Sequence, residues 1–114
     1  MGQDRNTGTI RRRATVLGST GSVGVNTLDV IDFATRRGEA EVEFEALTAG
    51  ANVALLAEQA KKFRPRFVAI ADERLKGDLK DALRGERIEI GAGPEAVEEA
   101  GARDADWVMA AIVG

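Results

Sequence analysis

Residues 12–24 read RRATVLGSTGSVG, and this stretch limits the possible folds more than any other in the chain. Ala14, Thr15, Val16 and Leu17 form a short apolar run that reads as a buried strand. Gly18, Gly21 and Gly24 follow at G-x-x-G-x-x-G spacing, and an apolar pattern with helical period starts at Val23. Strand, glycine turn and helix in immediate succession make a corner that receives phosphate in dinucleotide-binding folds. Such an anion needs bare backbone N–H groups, which a helix N-terminus supplies together with the favourable end of the helix dipole. Side chains at positions 18 and 21 would block that approach or forbid the turn, and Gly24 lets the helix pack closely on the strand. Thr20 and Ser22 add hydroxyl donors. The bland alternative is a tight turn with no ligand, but the flanking strand and helix favour the phosphate corner.

The remainder of the chain repeats the alternation. A first helix is expected over residues 22–36, with Val23, Thr27, Val30, Ile31 and Ala34 as its inner stripe and Gly38 as its stop. A second strand covers 41–49. There Glu41, Glu43 and Glu45 alternate with Val42, Phe44 and Ala46, so the three carboxylates read as a solvated face at the start of the strand, not as a metal site. Asn52 caps a second helix that buries Val53, Leu56, Ala57, Ala60 and Phe63 and that Pro65 stops. Residues 66–71 form a third strand, 72–84 a third helix, 87–90 a short fourth strand, and Pro94 opens a fourth helix. The nearly continuous apolar run at 107–113 reads as a central parallel strand covered on both faces. The fold class is therefore α/β, a Rossmann-like doubly wound parallel sheet of about five strands with helices on both faces. The expected strand order is 3-2-1-4-5, with the switch point between strands one and four.

Composition narrows the function. With 114 residues the chain is long enough for one domain with a core, and the formal net charge of −3 offers no electrostatic case for nucleic acid or an anionic membrane. Arg11, Arg12 and Arg13 read as a solvated lead-in to the first strand. The absence of cysteine and histidine removes disulfides, thiol nucleophiles and the commonest general base and metal ligand. No apolar run approaches the roughly 20 residues that span a bilayer, and the polar start has no signal core, so a cytoplasmic protein is the default. Residues 1–9 are expected to be a disordered tail, and 10–114 a single cofactor domain.

The end of the second strand bears on the choice of cofactor. NAD-selective folds usually place Asp or Glu there to hold the ribose hydroxyls. Here the strand runs out through Thr48, Ala49, Gly50, Ala51 and Asn52, without an acid. A 2′-phosphate would meet no like charge and would face a second helix N-terminus, which favours NADP. Gly50 and Asn52 also serve simply to turn the chain and cap the helix, and the two roles are compatible.

Four stretches, LGSTGSVG with NTLDVI, ALTAGANVALLAEQ, RPRFVAIADE and WVMAAIVG, together resemble the N-terminal NADPH-binding part of the 1-deoxy-D-xylulose 5-phosphate reductoisomerase family. The resemblance implies that Thr20, Gly21, Ser22 and Val23 lie on the cofactor phosphates. It also implies that Gly50 and Asn52 lie near the adenosine ribose and its 2′-phosphate. Ala51 departs from members with Lys or another polar residue at that position. It further implies an enzyme, a homodimer in the family's usual form, that rearranges the sugar phosphate 1-deoxy-D-xylulose 5-phosphate and reduces it with NADPH to 2-C-methyl-D-erythritol 4-phosphate. The divalent metal, Mg or Mn, would be held by an Asp-x-Glu motif beyond residue 114. No catalytic or metal residue is therefore expected within this chain, and alone it is expected to be inactive. Asp104-Ala105-Asp106 is not that motif, because it precedes the last strand at the pole away from the ligand. A stand-alone NADP-binding module, and the cofactor domain of another NADP enzyme such as a semialdehyde dehydrogenase, are the alternatives.

Overall fold

In the computed structural model, which describes residues 10–111, strand and helix alternate from β1 (Ile10–Leu17) to β5 (Trp107–Ala110). Between them come α1 (Ser22–Arg36), β2 (Ala40–Ala49), α2 (Val53–Phe63), β3 (Phe67–Ile70), α3 (Lys76–Ala82), β4 (Glu89–Ala92) and α4 (Pro94–Ala102). The expected tail at 1–9, and positions 112 and 113 of the last apolar run, lie outside the described residues.

All neighbouring strands pair in parallel, in the order β4-β3-β2-β1-β5. This corrects the expected order. The fourth strand extends the sheet beyond β3, and the fifth, not the fourth, lies beside β1. The handedness of crossovers explains the arrangement. From β1 to β4 the chain steps outward in one direction, so α1, α2 and α3 all fall on one face. To return to β1 it must reverse direction, and a right-handed crossover then requires the other face, where α4 lies. The two cores follow. Ala14, Val16, Leu28, Ile31, Leu47, Leu56, Val68 and Leu79 pack on the three-helix side. Ala46, Phe67, Ala69, Ala96 and Ala100 pack under α4.

Gly91 lets the edge strand β4 sit close to that smaller core. A Cβ there would stand 2.8 Å from both the Ala96 Cβ and the Phe67 ring. The strand β5 is likewise an edge strand in the described structure, half-buried on alternate residues with Val108 exposed, and not a central strand covered on both faces. The third helix is also divided, into a single 3-10 turn at Glu73–Leu75 followed by α3.

The helix α1 begins and ends where its pattern predicts, but its buried stripe is Gly24, Leu28 and Ile31. Val23 and Val30, expected inside, are 46% and 68% exposed. Close approach at Gly24 sets this rotation. It brings the helix onto the glycine turn and turns the valines outward.

The three alternating carboxylates of β2 separate in the same way. Glu41 and Glu43 are exposed as expected, but Glu45 is buried. The β1–β2 register slips at Glu45: Ala14 pairs with Phe44 and Thr15 with Ala46. The bulge leaves Glu45 without a partner on β1, and strand alternation after Phe44, which packs in the three-helix core, places it on the α4 side. Its carboxylate accepts a 2.7 Å hydrogen bond from Arg103 Nε, with Arg13 and Arg66 at 3.8 and 3.9 Å. Arg103 lies 4.7 Å from the Phe67 ring centroid and also bonds Glu99. The bond to Glu45 raises the Arg103 pKa from its ordinary value.

Candidate functional site

The carboxyl ends of the parallel strands form one pole of the molecule. The glycine turn after β1 occupies its centre, beside the switch point between β1 and β5. Gly18 takes φ +79, a left-handed conformation suited to glycine. Gly21 ends the turn in extended conformation as the N-cap of α1, with no side chain capping the helix and no acidic residue in its first turn. The first-turn N–H groups therefore face outward without a side-chain acceptor. Gly24 completes the corner. A Cβ there would fall 2.2 Å from the Gly18 carbonyl oxygen and 2.6 Å from Ser19 Cα, so any side chain would push α1 off the turn.

The turn is fastened from beneath. Gly18 N–H donates to Thr48 Oγ1 at 2.9 Å, and Ser19 N–H to the Thr48 carbonyl at 2.8 Å. Ser19 is fully buried, and its hydroxyl donates to Gln59 Oε1 at 2.7 Å. Gln59 Nε2 donates in return to the Ser19 carbonyl at 2.9 Å. Thus β2 holds the N–H groups of the turn, and α2 holds the Ser19 hydroxyl and carbonyl, the hydroxyl lying also 3.3 Å from the Thr48 carbonyl.

Further bonds bring neighbouring strand ends to the same pole. Ala71 N–H donates to the Ala49 carbonyl, Asp72 N–H to that of Gly50, and Ala111 N–H to that of Leu17. A cleft of about 450 Å³ opens between these ends. Thr20, Gly21, Ser22 and Gly50 line it, with Thr48 and Ala49 beneath. Val23 and Asn52 do not line it. Val23 lies on the exposed side of α1, and Asn52 Oδ1 accepts the Leu55 N–H at 3.1 Å as the N-cap of α2. That leaves the Asn52 amide NH₂ as a donor beside Gly50.

Beyond Gly50, Asp72 caps the 3-10 turn and binds Arg74 through both carboxylate oxygens, at 3.0 and 2.7 Å. The hydrogen bond from Arg74 holds the Asp72 pKa below the ordinary carboxylate value and raises that of Arg74. Asp106 lies at the opposite pole, where it accepts the Arg13 N–H at 2.8 Å. Among the described residues no group of three or more acidic side chains converges in a way that could hold a metal ion.

Sequence reasoning missed Ser19, Thr48 and Gln59 as parts of this corner. A signal was present for Gln59. It shares the buried α2 stripe with Leu56, Ala60 and Phe63 at helical spacing, where a polar residue requires a partner.

Fold and corner define a Rossmann-like α/β unit built around a glycine-rich strand-to-helix turn. A sequence model described as 1-deoxy-D-xylulose 5-phosphate reductoisomerase matches residues 14–114, and the chain belongs to that family. Over 105 residues it is 51% identical to the 1-deoxy-D-xylulose 5-phosphate reductoisomerase of Rhizobium meliloti (strain 1021), covering 92% of this chain and 26% of the relative. It is 54% identical over 103 residues to that of Rhodospirillum centenum (strain ATCC 51521 / SW), covering 90% and 25%. Among solved structures, the Zymomonas mobilis reductoisomerase in complex with NADPH superposes with a TM-score of 0.83 at 46% identity, over 91% of this chain and 26% of that one. A DOX-P reductoisomerase in complex with NADPH, fosmidomycin and magnesium superposes with a TM-score of 0.79 at 29% identity, over 90% and 25%. The chain thus spans about a quarter of the length of these relatives.

Proposed function

We propose that this chain is the NADPH-binding unit of a reductoisomerase that converts 1-deoxy-D-xylulose 5-phosphate to 2-C-methyl-D-erythritol 4-phosphate. The observation that carries the reading is the uncapped N-terminus of α1, open to the cleft across Gly21. The similar Zymomonas mobilis protein contains NADPH, and the present corner fits such a group. Gly18 permits the turn, Gly24 seats the helix, and Gly21 leaves the first-turn N–H groups clear.

In this reading Thr20, Gly21, Ser22 and Val23 hold the pyrophosphate. Thr20 and Ser22 give hydroxyl donors, and the backbone at 21–23 gives N–H groups. Gly50 and the Asn52 amide face the adenosine ribose and its 2′-phosphate. When bound, NADPH supplies the hydride, and this chain's residues orient the dinucleotide along the strand ends. The described residues offer no seat for the magnesium named in the similar DOX-P reductoisomerase structure, so no step through a metal is assigned to them. A cytoplasmic homodimer belongs to the same reading, and light scattering of the full protein tests the dimer.

Calorimetric titration with NADPH and, separately, NADH tests the cofactor reading. Tighter binding of NADPH supports it, and equal binding removes 2′-phosphate recognition from the Gly50–Asn52 turn. No binding of either nucleotide to the full protein overturns the reading.

A further inference from the structure

We infer that Gln59 is a positioning residue, locking the glycine turn in its anion-receiving shape before any ligand arrives. The inference rests on the dinucleotide reading above and assigns a role there to a side chain that does not line the cleft. Gln59 is 7% exposed and Ser19 is 0% exposed, yet neither is left with an unmet polar group facing the other. The amide uses both ends on one residue. Oε1 takes the Ser19 hydroxyl proton at 2.7 Å, and Nε2 meets the Ser19 carbonyl at 2.9 Å. No apolar side chain of that size could do either.

The position of the pair gives it a consequence beyond packing. Ser19 lies in the turn between Gly18 and Thr20, so fixing its carbonyl and hydroxyl fixes the direction in which the following N–H groups point. The same turn is tied to Thr48, on the strand that leads into Gly50 and Asn52. Gln59 lies on α2, the helix that Asn52 caps. The two halves of the candidate site, the pyrophosphate corner at 20–23 and the ribose-phosphate turn at 50–52, are therefore joined through α2 as one rigid frame. Without Gln59 the turn samples other shapes, and apparent affinity falls in proportion to the fraction that remains competent.

The test compares two probes on the full protein. NADPH spans both halves, whereas 2′-AMP reaches only the ribose-phosphate half. Gln59→Met keeps the volume of the side chain and removes both hydrogen bonds. The expected result is NADPH affinity reduced about ten-fold, for a turn competent one-tenth of the time, with 2′-AMP affinity unchanged. Faster amide hydrogen exchange confined to residues 18–21 is expected alongside. Ser19→Ala removes the hydroxyl bond while sparing α2, and serves if Gln59→Met fails to fold. It should shift NADPH affinity in the same direction by less.

Unchanged NADPH affinity in both variants overturns the inference. Equal loss of both probes together with a lowered melting temperature also overturns it, by making Gln59 a merely structural residue. A wild-type protein that binds neither probe overturns the dinucleotide reading, a failure distinguishable from loss in the variants alone.

Discussion

Gly24 and Gly18 stand in direct backbone contact across the turn, so close that a Cβ on Gly24 would fall 2.2 Å from the Gly18 carbonyl oxygen. The obstacle is backbone, which cannot swing aside as a side chain can. Gly24→Ala is therefore expected to cost about 3 kcal/mol, at the upper end of ordinary overpacking, and to abolish nucleotide binding by displacing the start of α1. Urea denaturation beside an NADPH titration checks both parts. An alanine variant of wild-type stability would show that the helix shifts freely on the strand.

Thr48 supports the same turn from β2. Thr48→Val preserves shape but removes the Oγ1 acceptor that receives the Gly18 N–H at 2.9 Å. Leaving that donor without a partner in a part-buried position is expected to cost about 1–2 kcal/mol. The change should appear as a lower urea midpoint with an unchanged m-value.

Midway along β2, Arg103 compensates the buried Glu45 carboxylate. Arg103→Met leaves that charge to Arg13 and Arg66, at 3.8 and 3.9 Å. The expected loss is about 3 kcal/mol, the low end for breaking a buried pair, because those two cations remain nearby. Thermal unfolding of the single variant and of Glu45→Gln/Arg103→Met measures the coupling. If the double variant is not more stable than Arg103→Met, the unpaired carboxylate is not the cause.

Asn52 combines a local duty with a proposed ligand contact. Its Oδ1 caps α2 through the Leu55 N–H, so Asn52→Ala is expected to cost about 1 kcal/mol. Asn52→Asp should retain the cap but bring a negative charge to the proposed 2′-phosphate position. It is expected to weaken NADPH binding while leaving NADH binding nearly unchanged, and paired titrations decide it.

Asp72 gives a pH-dependent prediction whose sign follows from its partner. The hydrogen bond from Arg74 lowers the folded-state pKa below the ordinary carboxylate value. Its contribution to folding is thus present above the unfolded pKa and lost as pH falls through the lowered folded value. NMR titration of the Asp72 side chain should give a midpoint below that of an ordinary aspartate. Arg74→Ala should move it upward. An ordinary midpoint in the wild type would mean that the exposed pair is open in solution.

Much of this was legible because it is local. The glycine spacing requires a sharp turn, and α1 spans 22–36 as its apolar pattern and closing glycine suggest. Pro65 stops α2 and Pro94 starts α4 for reasons contained within a few residues. Thr20, Gly21, Ser22 and Gly50 reach one cleft because a parallel sheet collects its strand ends at one pole. What tertiary structure alone decided depends on which distant surfaces meet. The order β4-β3-β2-β1-β5 follows from the face on which each crossover runs, and strands so short carry no mark of their neighbours. Apolar Val23 and Val30 lie outward because backbone contact at Gly24 sets the rotation of α1, which a hydrophobic pattern does not register. Glu45 looks no different in sequence from Glu41 and Glu43. Its burial comes from the packing of α4 against β2, which brings up an arginine 58 residues away. Gln59 and Ser19, 40 residues apart, show the same principle. A period places a side chain on a face, but only the packed fold supplies the partner that makes a buried polar group stable.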